Sequence, residues 1–153
     1  MVASSPALVS IPEPARGKAR RIAIGLMVLL GFGALGGGVA LVTNPDGSNM
    51  QFSVSLLAGS PFSDFLIPGL ILGGLFGLGS FAVAWMGLLN WRPAPFLAFA
   101  IGAAQMIWIV VELIVIKELS FLHPTFFCVG LAIGTASVFW GWPTFQGWRR
   151  AGR

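Results

Sequence analysis

The sequence predicts an all-α membrane protein, an up-down bundle of four transmembrane helices with both termini in the cytoplasm. Hydrophobic residues make up 56% of the 153 residues and charged residues only 9%, whereas soluble domains carry about 25% charged residues. Four apolar stretches each approach the length of about 20 residues that a helix needs to cross a bilayer. The basic residues cluster at the ends of these stretches.

Each apolar stretch is expected to be helical because backbone polar groups in lipid must be satisfied within the segment. This holds even for the run of three glycines at 36–38. Short connections make successive helices antiparallel neighbours, which predicts the up-down bundle; only the loop of residues 44–64 is long. The predicted spans cover residues 22–43, 65–89, 96–116 and 125–142, within a transmembrane domain of residues 22–143.

The Lys and Arg residues predict the orientation, since cytoplasmic loops are enriched in them. Eight of the nine lie on one side of the predicted spans, and only Lys117 lies on the other. The eight are Arg16, Lys18, Arg20, Arg21, Arg92, Arg149, Arg150 and Arg153. We therefore expect residues 1–21 to form a flexible basic cytoplasmic tail and residues 144–153 to form a basic cytoplasmic tail at the other end.

The counts of cysteine and histidine exclude several kinds of chemistry. Cys128 is the one cysteine and His123 the one histidine, so the chain can form neither an internal disulfide nor a CxxC pair. A zinc site and a bis-histidine haem need more such ligands, and no metal site or cofactor is expected. The sequence pI of about 10.7 does not indicate nucleic-acid binding, because the basic residues flank the membrane spans.

Glycines recur at spacings of four within three of the predicted spans, which lets helix backbones approach closely. They are Gly33, Gly37, Gly69, Gly73, Gly77, Gly130 and Gly134. The pattern favours packing within the bundle, and it is also compatible with a surface for another subunit or a second copy.

Glu112 is the one carboxylate well inside a predicted span, where a charge is costly and suggests function. Trp108 precedes Glu112 by four residues and Gln105 precedes Trp108 by three, so the three side chains share one helix face. This polar stripe should point into the bundle or at a partner. A protonated or hydrogen-bonded structural carboxyl, a proton- or ligand-coupled group and an intersubunit ion pair all remain open.

The stretch "GSPFSDFLIPG" at 59–69 leads into the second span. Ser60 is expected to cap a helix that starts at Pro61, with Asp64 in its first turn, where negative charge suits the helix dipole. Pro68 is expected to kink or restart the helix. The topology places Asp64, Glu112 and His123 at the same end of the bundle, which predicts one shared shallow polar pocket; a simple interfacial or capping histidine is the alternative for His123.

This stretch, together with "WIVVE" in the third span and "LHPTFF" at the start of the fourth, resembles a group of small bacterial four-helix integral membrane proteins of unknown function. The resemblance covers about residues 55–130. It implies a multi-pass protein of the bacterial cytoplasmic (inner) membrane and brings no activity with it. In that group a glutamine often stands where this chain has Glu112, which favours a hydrogen-bonding role there.

The functional prediction is a non-catalytic membrane protein, since no catalytic constellation is present. It would be an accessory or scaffold subunit of a larger membrane complex, or a homo-oligomer, so that its partners are the lipid bilayer and other membrane subunits or further copies of itself. The alternative is a small transporter or ligand-binding protein with an outward-facing polar pocket around Glu112. Small multidrug transporters fit poorly, because they place their key carboxylate in the first span, which has none here.

Overall fold

The computed structural model describes residues 11–116 and 120–151, with side chains described as far as residue 142. Its elements are α-helical apart from two 3₁₀ turns and one π-helical segment, and no β-strand occurs in this part of the chain. Helix α1 is Glu13–Thr43, α2 is Leu66–Leu88, α3 is Ala94–Ile116 and α4 is Leu122–Ala151. The 3₁₀ turns, Ser48–Met50 and Val54–Leu57, lie in the loop between α1 and α2.

All four helices contain a segment long and apolar enough to cross a membrane. This confirms the prediction of an all-α protein with four candidate spans. The candidate span of α4 covers Leu122–Trp142, and helical backbone continues to Ala151. Residues 144–151, predicted as a basic tail, are therefore helical backbone.

Helix α1 begins earlier than the predicted span, so the prediction of a flexible tail is wrong for residues 13–21. Pro14 lies at the start of the helix, where its missing N–H costs nothing. Glu13 is in the first turn and forms a salt bridge with Arg16. Farther along, the Arg20 guanidinium donates to Asn90 Oδ1 and to the Leu88 carbonyl, which ties this extension to the end of α2.

Helix α2 has three parts: α-helix over Leu66–Leu70, π-helix over Ile71–Leu78 and α-helix over Gly79–Leu88. Pro68 lies in the first turn, where a proline removes no helical hydrogen bond. The wider turns begin directly after this first part, and the Gly79 N–H donates to the Gly74 carbonyl five residues back. Such π-helical segments are often found at functional sites.

Glycines form a close contact between α1 and α2. A Cβ added to Gly38 would lie 2.4 Å from Gly73 N and 2.9 Å from the Gly69 carbonyl oxygen. One at Gly77 would lie 3.1 Å from the backbone of Leu35. Gly38 contacts Gly73, whereas Leu35, which lies earlier in α1, contacts Gly77, which lies later in α2. The two helices therefore run in opposite directions at this contact.

A second glycine contact joins α3 and α4. A Cβ on Gly102 would lie 2.7 Å from the Gly130 carbonyl oxygen and 2.9 Å from Gly134 N. The main core cluster lies between these glycine contacts and includes Met27, Leu30, Ala34, Phe76, Val83, Ala84, Ala98, Ile101 and Ile133. Helices α1 and α3 make few direct contacts with each other.

We expect Gly38→Ala to lower the free energy of unfolding by about 1–3 kcal/mol, because the new methyl meets the Gly73 backbone, which cannot move aside like a side chain. Gly36→Ala is the matched control, since Gly36 is exposed and nothing lies within 4 Å of its added Cβ. Chemical denaturation in mixed detergent micelles measures both. Equal destabilisation by the two substitutions would contradict the backbone contact.

Candidate functional site

A cavity of about 370 Å³ opens between α1, α3 and the start of α4. This is a typical size for a small-molecule site. Its lining is mostly apolar, with polar groups contributed mainly by α3 and α4. The lining residues are Leu30, Gly33, Ala34, Gly37, Leu41, Met50, Phe52, Leu72, Gln105, Trp108, Ile109, Glu112, Ile116, Ser120, Leu122, His123 and Phe126.

The polar stripe of α3 lines this cavity. Gln105, Trp108 and Glu112 all border it, as expected from their helical spacing. The structure thus brings together four of the five residues predicted for a polar pocket, namely these three and His123 from α4. The fifth, Asp64, is not part of the lining.

Gln105 lies deep in the cavity, with only 2% of its surface exposed. Among the described residues its side-chain oxygen Oε1 is buried without a hydrogen-bond partner, and the same is true of the Trp108 indole nitrogen Nε1. The Trp108 ring packs against Phe76 of α2, with ring centroids 5.8 Å apart. Most buried polar atoms in folded proteins are hydrogen-bonded, so these two atoms are exceptions.

Glu112 lies nearer the mouth of the cavity than Gln105. Its carboxyl interacts electrostatically with the His123 imidazole, and it is close enough to Trp108 Nε1 to interact, although the geometry falls short of a hydrogen bond. No salt bridge to Glu112 occurs among the described residues.

Local hydrogen bonds position His123. The Ser120 N–H donates to His123 Nδ1 at 3.1 Å, and the His123 N–H donates to the Ser120 carbonyl at 3.1 Å. His123 Nδ1 also lies 3.3 Å from the Ser120 carbonyl oxygen, so the backbone of Ser120 holds the ring in place from both its N–H and its carbonyl.

Small residues of α1 create the space opposite the polar stripe. Gly33, Ala34 and Gly37 border the cavity. A Cβ on Gly33 would lie 2.9 Å from the Phe126 ring, and one on Gly37 would lie 3.0 Å from Leu72 Cδ2. Two of the glycines predicted for helix packing therefore lie at the cavity wall.

The loop between α1 and α2 covers the mouth of the cavity. No pattern in the sequence predicts this role of the loop. Met50 and Phe52 from this loop line the cavity. The Phe52 N–H donates to the Gly47 carbonyl at 3.0 Å, and Gly47 takes a left-handed φ of 83° that favours glycine.

Asp46 lies in the same loop and is fully exposed. Hydrogen bonds from the Ser48 N–H and hydroxyl hold the pKa of the Asp46 carboxyl below its usual value. Asp46 therefore orders the turn that precedes the cavity mouth, and it is not among the lining residues.

Asp64 has a structural role that differs from the predicted one. The expected cap at Ser60 is wrong, because α2 begins at Leu66 and Ser60 Oγ instead accepts from Phe62 N at 3.2 Å within the loop. Asp64 Oδ1 accepts the first N–H of α2, from Leu66, at 2.9 Å. The helix starts late because the Phe65 N–H bonds the Pro45 carbonyl at 2.8 Å and holds the loop against the end of α1.

Comparison with known protein families, with curated proteins and with solved structures finds no match to this chain. The resemblance to small bacterial membrane proteins therefore stays a prediction. Within the described residues, no three His, Cys, Asp or Glu side chains are grouped so that they could hold a metal ion. The cavity and its polar atoms are the features from which function can be argued.

We expect Asp64→Ala to destabilise the protein by about 1 kcal/mol, because the first N–H of α2 loses its acceptor. Asp64→Asn is the control, since an asparagine side chain forms the same turn with the backbone two residues on. Thermal unfolding in detergent compares the variants. If Asp64→Asn is as damaging as Asp64→Ala, the carboxylate charge matters more than the turn.

Proposed function

We propose that this protein binds a small amphiphilic molecule in the cavity between α1 and α3, as a transporter or ligand-binding membrane protein. The observation that carries the proposal is the pair of buried, unsatisfied atoms, Gln105 Oε1 and Trp108 Nε1, in a cavity of about 370 Å³. Leaving such atoms unpaired costs about 1–3 kcal/mol each. A ligand that pairs them recovers this cost on binding.

The apolar lining supports an amphiphile rather than a purely polar molecule. Leu30, Leu72, Ile109 and Phe126 provide apolar walls from four different helices. Ligand sites of this kind combine an apolar lining with a few polar groups that fix orientation. The polar stripe along α3 supplies those groups on one side only.

The proposal includes an up-down arrangement in the bacterial inner membrane, with both termini in the cytoplasm and the cavity mouth toward the outer face. The reverse-order pairing of α1 with α2 supports the arrangement. The basic residues Arg20 and Arg21 border a groove with Gly17 near the start of α1, whereas the mouth is formed by Phe52 and Ser120. Basic residues favour the cytoplasmic side.

Reporter fusions test this orientation. A fluorescent protein that matures only in the cytoplasm should be bright when fused after Arg153, whereas a fusion inserted in the loop at Ser55, which is exposed, should be dark. A reporter active only outside the cytoplasm should give the reverse pattern. A bright insertion at Ser55 would place the cavity mouth on the cytoplasmic side.

A second candidate is the accessory or scaffold role, alone or as a homo-oligomer. Gly25, Gly36 and Gly74 are exposed, and nothing lies within 4 Å of a Cβ added to any of them. Exposed small residues allow close approach of another helix. Purification in a gentle detergent followed by mass spectrometry would reveal foreign subunits in fixed proportion if this role holds.

Substitution of two neighbouring glycines tests the ligand-binding proposal. Gly37→Leu places a large side chain at the cavity wall, and Gly36→Leu places the same side chain on the exposed surface. We expect native mass spectrometry to detect a small bound molecule in the unmodified protein and in Gly36→Leu, and to show at least a tenfold loss, about 1.4 kcal/mol, in Gly37→Leu.

Thermal unfolding shows whether both variants fold; if Gly37→Leu does not, Gly33→Leu blocks the same cavity from the adjacent turn. The ligand-binding proposal fails if no small molecule binds the unmodified protein, or if the bound molecule is retained when the cavity is filled.

A further inference from the structure

We propose that the ligand of this cavity is an organic amine with an apolar body and a hydroxyl group at its far end. This inference rests on the proposed ligand-binding function and adds the chemical class of the ligand. It follows from three features of the described lining: a carboxyl group without a salt bridge, aromatic residues near it, and an unsatisfied acceptor deeper in the cavity.

The carboxyl group comes from Glu112, the only Asp or Glu among the described residues that line the cavity. In the described part of the chain it makes no salt bridge. The other titratable side chain of the described lining, His123, is hydrogen-bonded to Ser120 through Nδ1. A carboxylate within a membrane span calls for a partner, and an ammonium group provides the missing charge.

Aromatic residues strengthen this preference for a cation. Trp108 lies one turn from Glu112 on the same face of α3, and Phe126 and Phe52 complete an aromatic lining toward the mouth. Ammonium groups are attracted to the faces of aromatic rings, and to tryptophan most strongly. An anionic ligand is disfavoured because the described residues of the lining include a carboxyl and no Lys or Arg.

The deep end of the cavity defines the second polar group of the ligand. Gln105 lies two helical turns from Glu112, or about 10 Å along the axis, so one ammonium group does not serve both. Gln105 Oε1 needs a donor. A hydroxyl group both donates and accepts, so it satisfies this oxygen, whereas a quinone or ketone carbonyl only accepts and leaves Gln105 Oε1 unpaired.

Three small compounds separate the two polar groups. Tyramine carries an ammonium group and a phenol hydroxyl at opposite ends of an apolar ring. Tyrosol replaces the ammonium group with a neutral hydroxyl, and phenethylamine lacks the phenol hydroxyl. Isothermal titration calorimetry with the full chain in detergent micelles, with empty micelles subtracted, gives the affinity for each.

We expect tyramine to bind at least about tenfold more tightly than tyrosol, because hydrogen bonds to a charged partner are the stronger ones. Glu112→Gln should abolish that difference by weakening the binding of tyramine. We expect tyramine to bind at least about fivefold more tightly than phenethylamine. Gln105→Leu should abolish this difference between tyramine and phenethylamine and leave the difference between tyramine and tyrosol. Gln105→Met serves if the leucine variant does not fold.

The outcomes distinguish this inference from the function on which it rests. Equal binding of tyramine and tyrosol, or a tyramine advantage that persists in Glu112→Gln, overturns the amine assignment. If none of the three compounds binds, while a molecule without an amine is lost on cavity filling by Gly37→Leu, the inference fails and the proposed function stands. If no molecule of any kind occupies the cavity, both fail.

Discussion

The rest of the structure depends on two backbone contacts, that of Gly38 with Gly73 and that of Gly102 with Gly130. In lipid the apolar surface of a helix gains little from leaving its solvent, so helices associate through close packing. Glycine gives that closeness within each pair, α1 with α2 and α3 with α4. Helices α1 and α3, in contrast, scarcely touch, and the cavity occupies the space between the two pairs.

The site and the packing make opposite demands on α1. On one side of this helix, Gly38 has no side chain, so another backbone can approach. On another side, Gly33 and Gly37 have no side chains, so space remains for the cavity. The same residue type therefore tightens one contact and opens another. The polar stripe of α3 adds its own cost, since Gln105 Oε1 and Trp108 Nε1 are buried without partners among the described residues. A protein selected for stability alone would have apolar residues there.

The sequence predicts the number and extent of the spans well, because a long apolar run in a membrane satisfies its backbone hydrogen bonds by forming a helix. It also predicts that Gln105, Trp108 and Glu112 share a face, because that follows from helical periodicity alone. It does not predict Gly38 or Gly102 as contact residues, since a helix rich in glycine offers several stripes and the partner helix selects one. The start of α2 at Leu66 and the turn that Asp64 forms before it depend on a bond between Phe65 and Pro45, which no local pattern encodes. The early start of α1 is not predicted either, because charged residues next to an apolar run are also typical of a flexible tail.

The π-helical segment Ile71–Leu78 makes the length of α2 matter in evolution. Its wider turns join two α-helical parts that both pack against the protein. Gly69 in the first part lies against α1, and Ser80 in the second part is buried. Deleting one residue from this segment would convert it toward a regular helix and turn everything after it by about 100°. Loops tolerate gain or loss of a residue, but here a single-codon deletion would turn Val83 and Ala84 of the core away from their neighbours. Descendants of this chain are therefore expected to vary in side chains along α2 while keeping its residue count.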